Sequence, residues 1–338
     1  MGVKNKDSIS RRDFIKKVGI GGVALSALSG MTFRIWAAEM GPDLVVAEKG
    51  TPSQLLHAAL APLGGMKKFV KPGQRVVLKP NIGWARTPEQ AGNTNPDLVA
   101  AVIKACYDAG AREVVIWEHT CDNYQFTFTL SGIREAARRG GVSLYSAHGE
   151  NVYHQVDVPR GKKLKKVKLI KPVHQAEVLI NIPIAKQHYA TELTLSMKNL
   201  MGAVWEMEDF HRTDLHQYIA DLNTVLKPNL IIMDAIRILT TNGPKGPGKV
   251  ENLDMVIAGT DPVAIDAYGA GLFRKPKKAV SPRDELSKIL PKEFAPQEVE
   301  FTDKPWRPEE VRYIKLAHEH GLGEINLSKL NIKKVSGI

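Results

Sequence analysis

Residues 178–182 read VLINI and residues 230–233 read LIIM, and these two short runs decide the fold. Both are nearly continuous apolar runs, which is typical of strands that are buried on both faces of a parallel sheet. Between them, roughly residues 212–226 have the pattern of a helix. The order strand, helix, strand favours a parallel sheet whose strands are joined by crossover helices.

The same alternation extends along most of the chain. Asn95 and Gly110 fit the start and the end of one helix, and Thr260 or Asp261 fits the start of another. We predict an α/β fold with a mostly parallel sheet flanked by helices. The predicted strands cover residues 44–48, 75–79, 113–117, 142–146 and 255–258, and the predicted helices cover 52–63, 96–109, 130–139 and 308–320.

Residues 153–171, YHQVDVPRGKKLKKVKLIK, differ from the rest of the chain. Apolar residues flank the Pro159-Arg160-Gly161 turn, and lysines dominate the second half, so we predict an inserted lysine-rich β-hairpin. Two interpretations stay open. The lysines could attract an anionic surface, or they could keep a solvated edge hairpin from pairing with other chains.

Composition limits the classes of partner. The chain has 338 residues, of which 43% are hydrophobic and 25% are charged, as in an ordinary soluble protein of one large or two modest domains. Residues 1–38 carry a net charge of +5, so the other 300 residues carry only +6 of the total of +11. A mildly basic body is not the footprint of a dedicated nucleic-acid binder, and we expect no nucleic-acid partner.

The segment Ser10-Arg11-Arg12-Asp13-Phe14-Ile15-Lys16 resembles the twin-arginine (Tat) export signal, and a glycine-rich apolar run follows it. The alternative, an amphipathic surface helix, would place the costly glycines 19, 21 and 22 in a packed helix. We therefore predict a signal peptide at 1–38 and the α/β domain at 39–338, with a core at about 44–273 and a loop-rich C-terminal extension at 274–338.

This export signal implies that the Tat translocase carries the folded chain across the cytoplasmic membrane. The expected location is therefore periplasmic or otherwise extracytoplasmic. The cleavage point stays open between residues 27–29 and 36–38. An uncleaved N-terminal segment would keep the protein attached to the membrane.

The chain has two cysteines, Cys106 and Cys121, and no CxxC motif. Neither a thiolate iron–sulfur cluster nor a four-cysteine zinc site can be built within this chain, so we expect no iron–sulfur cluster in it. One disulfide and two free thiols stay open as alternatives. The cofactor and any metal are not identified by these residues.

Ligands of open parallel sheets bind outside the carboxyl ends of the strands, so the residues after each strand are the candidates for a site. Lys79 and Asn81 follow one strand and could hold a carboxylate or a phosphate. Lys186 and His188 follow another, and a partly desolvated lysine there could bind an anion or form a covalent adduct.

The run Glu118-His119-Thr120-Cys121-Asp122 places four ligands or proton carriers within five residues. Adjacent residues on an extended chain point in alternate directions, so we expect that they do not all converge. The glycine-rich loop at 241–248 lacks the GxxxxGK[ST] and GxGxxG spacings, so it does not predict a nucleotide site. HExxH and GxSxG are absent, which argues against a zinc protease and an α/β hydrolase.

Taken together, several stretches resemble the family called domain of unknown function 362, over roughly residues 44–273. They are LKPNIG (78–83), INIPIAKQHYATELTLSMKNLMG (180–202), LHQYIADLN (215–223), IIMDAI (231–236), TTNGPKGPG (240–248) and AGTDPVAIDAYGAGL (258–272), together with the acidic strand end at Glu118. Many members carry a ferredoxin-like cysteine cluster near the C-terminus, which this chain lacks.

The resemblance implies a site more firmly than an activity. It implies four catalytic candidates, Lys186, His188, Lys198 and Asp234. It also implies six candidates for binding a substrate or cofactor, namely Lys79, Asn81, Glu118, Asn199, Asp261 and Asp266.

Two functions are consistent with these residues. The first is an exported enzyme that acts on a small anionic substrate in a pocket of lysines, histidines and carboxylates. The second is a non-catalytic protein that binds a cofactor, or a redox partner that carries the missing iron–sulfur cluster.

Overall fold

The VLINI run forms a strand near the middle of a ten-stranded sheet, in a computed structural model that describes residues 41–277 and 300–338. The predicted signal peptide lies outside the described residues. No helix in the described ranges is long and apolar enough to cross a membrane.

The described residues contain fourteen strands. In chain order they are β1 Leu44–Glu48, β2 Arg75–Pro80, β3 Glu113–Glu118, β4 Ser143–Ser146, β5 Tyr153–Asp157, β6 Lys166–Ile170, β7 Val178–Ile182, β8 Ile184–His188, β9 Glu192–Thr194, β10 Leu230–Leu239, β11 Val250–Gly259, β12 Arg274–Pro276, β13 Phe301–Pro305 and β14 Ile332–Ser336.

Eleven α-helices lie in the same part of the chain. They are α1 Pro52–Leu60, α2 Met66–Phe69, α3 Pro96–Asp108, α4 Tyr124–Leu130, α5 Ile133–Arg139, α6 Lys171–His174, α7 Ser196–Asn199, α8 Met207–Arg212, α9 Leu215–Leu222, α10 Pro262–Ala270 and α11 Arg312–Glu319. Short 3₁₀ turns connect several of them.

The main sheet has the strand order β14-β1-β11-β10-β7-β2-β3-β4, and β8 and β9 extend it beside β10. The pairs from β10 through β7, β2, β3 and β4 are parallel, as are β8 with β10 and β1 with β14. β11 is antiparallel to both β1 and β10, and β8 is antiparallel to β9. The prediction of an α/β fold with a mostly parallel sheet is confirmed.

Side chains alternate across each strand and build two apolar cores, one on each face of the sheet. On β7, Leu179 belongs to one core, whereas Val178 and Ile180 belong to the other. Helices α9, α10 and α11 supply the first core, and α1, α3 and α5 supply the second. Because helices cover both faces, every residue of β7 is buried, which explains its apolar sequence.

Polar residues define where the major helices begin. The side chain of Asn95 accepts from the backbone N–H groups of Asp97 and Leu98 and caps α3. Asp261 rather than Thr260 caps α10, and Pro262 occupies the first helical position. These caps hold the N-termini of two helices beside the sheet.

Residues Ile184–His188 form strand β8, whereas the sequence predicted only that they follow the strand at 178–182. Pro183 interrupts the run after β7, and its carbonyl accepts from the N–H of Asp234 on β10. The chain then pairs with β10 and with β9. These partners are distant in sequence, so the half-polar run IAKQH did not predict this strand. Lys186 and His188 lie two residues apart on β8 and therefore share one face.

The C-terminal segment contributes to the main sheet, because β14 pairs in parallel with β1 along its full length. β12 and β13 pair with each other, and so do β5 and β6, as two separate small sheets. The loop between β5 and β6 is tied to α9, since the Asp221 carboxylate accepts from the backbone N–H groups of Lys163 and Leu164.

Candidate functional site

A cavity of about 510 Å³ lies at the carboxyl ends of β2 and β3. This is the edge at which parallel sheets bind ligands. The structure brings six of the ten predicted site residues together in its wall, namely Asn81, Glu118, Lys186, His188, Lys198 and Asn199.

A buried ion pair forms the floor of the site. The Lys79 ammonium lies 2.8 Å from the Glu118 carboxylate, and their side chains are 0% and 3% exposed. Glu118 also accepts from the backbone N–H groups of Ile82 and His119. Gly202 lies directly against this pair, because a Cβ there would overlap Glu118 Oε1 and lie 2.7 Å from Lys79 Nζ. Only glycine permits this approach.

A chain of amide groups positions Lys186. Its ammonium donates to Asn81 Oδ1 at 3.0 Å and to the Gly92 carbonyl at 2.6 Å. The Asn81 amide donates to Asn199 Oδ1, and the Asn199 amide donates to Asn181 Oδ1. Two of the three N–H bonds of Lys186 are thus occupied, which leaves one for a ligand.

Lys198 is placed differently. Its side chain is only 8% exposed, and within the described residues the one hydrogen-bond partner of its amine is a weak acceptor, Met201 Sδ at 3.6 Å. No carboxylate or carbonyl oxygen of that part of the chain accepts a hydrogen bond from this amine. A buried polar group without a good partner is costly, so this amine is suited to a ligand in the cavity.

His188 faces the cavity as a hydrogen-bond donor. Its Nδ1 accepts from the backbone N–H of Ala190 at 3.0 Å, so the proton of the neutral ring is on Nε2. Burial, and then the nearby Lys198 charge, hold the pKa of His188 well below its usual range. The ring is therefore neutral at physiological pH, with an Nε2–H available to a ligand.

His119 has the opposite tautomer. Its Nδ1 lies 3.2 Å from the Val204 carbonyl, which can only accept, so Nδ1 carries the proton. The Tyr153 hydroxyl, which donates to the Ala147 carbonyl, also lies 3.0 Å from this Nδ1. Burial lowers the pKa of His119. Its Nε2 consequently keeps a free lone pair and can accept a proton.

Burial also changes the acidity of the charged groups. It lowers the pKa of Lys186 to about 7 and that of Lys198 to about 8, since both ammonium groups are removed from water. Burial raises the pKa of Glu118, while the Lys79 charge opposes that rise. We assign Glu118 the ionised form, because it is paired with Lys79 and accepts two backbone hydrogen bonds.

The glycine-rich loop after β10 contributes Pro244 and Lys245 to the cavity wall. Lys245 of this loop lies 2.9 Å from the Asp122 carboxylate and 5.3 Å from the centre of the Trp84 ring. The Arg86 guanidinium donates to the Lys245 carbonyl and holds the loop against the opposite wall. Gly243 allows the loop to pass close to β8, because a Cβ there would overlap the Gln187 carbonyl.

Four predicted site residues do not line the cavity. Lys79 lies beneath it in the ion pair. Asp234 is fully buried and accepts from the backbone N–H groups of Asn95 and Ile236, with Arg237 at 3.5 Å. Asp261 caps α10. Asp266 accepts from the backbone N–H groups of Ser196 and Met197 at the start of α7. These three aspartates fix backbone segments.

The cavity also contains residues that the resemblance did not imply, among them Trp84, His119, Cys121, Tyr189, His211 and Lys245. Three members of the run at 118–122, namely Glu118, His119 and Cys121, reach the cavity, whereas Thr120 and Asp122 do not line it. β3 ends at Glu118, and the N–H of Cys121 then donates to the Gly83 carbonyl, so the chain turns along the wall. The high density of reactive residues in this run was the feature of the sequence that indicated His119 and Cys121 as site residues.

No group of three or more histidine, cysteine, aspartate or glutamate side chains is arranged to hold a metal ion within residues 41–277 and 300–338. The two cysteines there are unpaired, with Cys106 buried and Cys121 open to the cavity.

The fold and this site define an α/β protein with a cation-rich cavity at the carboxyl edge of its parallel strands. The family model described as "Domain of unknown function (DUF362)" matches residues 76–271, and the chain belongs to this family.

Individual proteins also resemble the chain. A thylakoid-associated protein of Synechocystis sp. is 28% identical over 229 residues, which are 65% of this chain and 69% of that protein. The lactate racemase apoprotein from Thermoanaerobacterium thermosaccharolyticum has a TM-score of 0.43 at 12% identity, over 68% of this chain and 58% of that one. A Thermotoga maritima protein has a TM-score of 0.35 at 10% identity, over 60% of this chain and 55% of that one.

Proposed function

We propose that the protein is an enzyme that binds a small carboxylate in this cavity and moves a proton on it. The observation that carries the proposal is the charge of the cavity wall. Lys186 and Lys198 line it, and the one carboxylate among the described lining residues, that of Glu118, is neutralised by Lys79 from below. A concave wall with unbalanced positive charge attracts anions.

The size of the cavity supports a small ligand. About 510 Å³ lies within the range of small-molecule sites, and the bound molecule would be largely removed from water. In that setting the free N–H of Lys186 and the amine of Lys198, when protonated, would bind a carboxylate more strongly than exposed lysines do.

The two histidines supply the means to move a proton. His119 offers a lone pair on Nε2, and His188 offers a proton on Nε2. A base and a hydrogen-bond donor with tautomers fixed by the backbone can remove a proton from a substrate and stabilise the charge that develops. His119 is therefore proposed as the base, and His188 as the donor to a developing oxyanion.

Solvent exchange tests this proposal. The full chain is incubated in D₂O with small carboxylates that carry a hydroxyl, oxo or amino group on the neighbouring carbon, and ¹H NMR follows the exchange of protons on their carbons. We expect exchange with at least one of them, reduced by on the order of a hundredfold or more in His119→Gln. The matched control is His57→Gln, on the exposed side of α1.

Equal exchange in His119→Gln and wild-type protein would exclude His119 as the base. Intact-mass and metal analysis of the protein from an exporting host belongs in the same experiment. A chain that carries a stoichiometric cofactor but catalyses no exchange would instead support the non-catalytic cofactor-binding function. A bare chain that co-purifies with a ferredoxin would support the redox-partner function.

The location of this activity is a separate proposal, supported by the Tat-like segment at residues 10–16. We propose that the Tat translocase exports the folded chain. Changing both Arg11 and Arg12 to lysine should abolish export, measured by fractionation of the host cells. Changing Lys4 and Lys6 to arginine is the matched control and should leave export intact. Unchanged export of the first variant would overturn this proposal.

A further inference from the structure

The amine of Lys198 differs from every other cation near the cavity in its lack of an oxygen partner. Lys79 pairs with Glu118, Lys245 pairs with Asp122, and Lys186 donates to two oxygens. Lys198 has only the Met201 sulfur at 3.6 Å within the described residues, and sulfur is a weak acceptor. The environment of this amine therefore does little to stabilise its charged form.

The surroundings of Lys198 favour the neutral amine for two physical reasons. Its side chain is 8% exposed, so the ammonium would lose most of its hydration. Lys186 lines the same cavity, and burial lowers its pKa to about 7, but two oxygen acceptors and a bound carboxylate favour its charged form, whereas Lys198 has no oxygen acceptor within the described residues. Burial lowers the pKa of Lys198 to about 8. A lysine whose amine is desolvated and neutral is a nucleophile.

We infer that Lys198 forms a Schiff base with the carbonyl carbon of a 2-oxo carboxylate, an inference that rests on the proposed anion site. Lys186 and Lys198 have different roles: one binds the substrate carboxylate, and the other reacts with the substrate carbonyl. The ammonium of Lys186, fixed by Asn81 and the Gly92 carbonyl, has one N–H left for the substrate carboxylate. Lys198 is left to react with the carbonyl group on the neighbouring carbon.

The chemical step is a condensation. The Nζ lone pair attacks the carbonyl carbon, and the carbon–oxygen π pair moves to the oxygen. Both amine protons then leave with that oxygen as one water molecule, and a carbon–nitrogen double bond remains. No oxidant or reductant is consumed. The His188 Nε2–H stabilises the charge on the oxygen through a hydrogen bond and keeps its proton, and the His119 Nε2 lone pair accepts a proton from nitrogen and returns it to the departing oxygen.

Reductive trapping tests the inference in the full-length protein. Pyruvate is added with sodium cyanoborohydride, and peptide mass mapping locates the reduced adduct. At about pH 7.5, a lysine with a pKa of about 8 is neutral on the order of a hundred times more often than an exposed lysine. Its lower intrinsic nucleophilicity reduces that advantage, so we expect Lys198 to trap on the order of tenfold more pyruvate than any exposed lysine.

Two variants and one competitor complete the experiment. Lys198→Arg cannot form the imine and should trap nothing above the exposed lysines. Lys104→Arg, on the exposed side of α3, should trap as much pyruvate as wild-type protein. Propanoate, which has the carboxylate but no carbonyl, should slow trapping at Lys198. The map of the wild-type protein decides the question even if Lys198→Arg fails to fold.

Failure of this inference is distinguishable from failure of the proposed function. Binding of pyruvate and propanoate is followed in parallel by tryptophan fluorescence, since Trp84 lines the cavity. If both bind but adducts are absent, lie on Lys186 or are spread evenly over exposed lysines, the Schiff base at Lys198 is overturned and the anion site stands. If neither binds, the anion site is wrong and the inference fails with it.

Discussion

Replacing Gly202 with alanine tests whether the buried ion pair beneath the cavity depends on close approach of the backbone. The new Cβ would overlap Glu118 Oε1 and lie 2.7 Å from Lys79 Nζ and 3.0 Å from Glu118 Cδ. Neither partner can move freely. Lys79 also donates to the Pro80 carbonyl, and two backbone N–H groups hold the Glu118 carboxylate.

The expected cost follows from the burial of both charges, whose side chains are 0% and 3% exposed. Removing one partner of a buried pair costs about 3–5 kcal/mol, and a methyl group that forces the two charges apart approaches that cost because both stay buried without regaining water. Alanine recovers roughly 0.5–1 kcal/mol through its lower backbone entropy in the unfolded chain. We therefore expect Gly202→Ala to lower the free energy of unfolding by about 2–4 kcal/mol.

Urea denaturation measures this change, and the midpoint should fall by on the order of 1 M. Gly83→Ala is the matched control in the same cavity wall, because its Cβ would meet only Cys121 Sγ at 3.8 Å, an ordinary contact. The control should unfold at or slightly above the wild-type midpoint. Equal midpoints for Gly202→Ala and Gly83→Ala would refute the reasoning.

Three further predictions concern charge, packing and reactivity. Propanoate affinity, measured by calorimetry, should fall between pH 6 and 9, because Lys186 and Lys198, with pKa values of about 7 and 8, lose their protons over this range. A constant affinity would contradict the role of the two ammonium groups in binding the carboxylate. Asp221→Ala should lower the free energy of unfolding, measured in urea, by about 3–4 kcal/mol, because its carboxylate loses two hydrogen bonds from loop amides and two from the side chains of Gln217 and His320. A change below about 1 kcal/mol would contradict this prediction. Iodoacetamide should alkylate Cys121 faster as pH rises, because only its thiolate reacts, and desolvation in the cavity, which raises the pKa of this thiol, should move the increase to higher pH. Propanoate should slow the reaction, and the buried Cys106, with a pKa of about 12, should stay unmodified in the native protein.

Much of the site was predictable because parallel strands place their carboxyl ends at one edge. Asn81 and Glu118 follow or end strands that apolar runs reveal, and both line the cavity. Asp234 shows the limit of this prediction. It also follows an apolar run, but its carboxylate accepts a hydrogen bond from the backbone N–H of Asn95 instead of lining the cavity. Position after a strand does not say whether a carboxylate faces a ligand or a backbone amide.

The sequence alone determined the α/β class. Runs such as 178–182 are apolar at nearly every position, which is typical of strands that helices cover on both faces of the sheet. It also determined the cap at Asn95 and narrowed the second cap to Thr260 or Asp261, because a cap acts on amides only two and three residues away.

Only the tertiary structure decided the chemistry of the cavity. The tautomers of His119 and His188 are set by a carbonyl at residue 204 and by an amide after β8, and β8 itself exists only because β10 and β9 pair with it. Lys198 and Lys186 have the same side chain, but within the described residues the amine of Lys198 has no oxygen partner and that of Lys186 has two. These differences arise between segments far apart along the chain, so no local pattern records them.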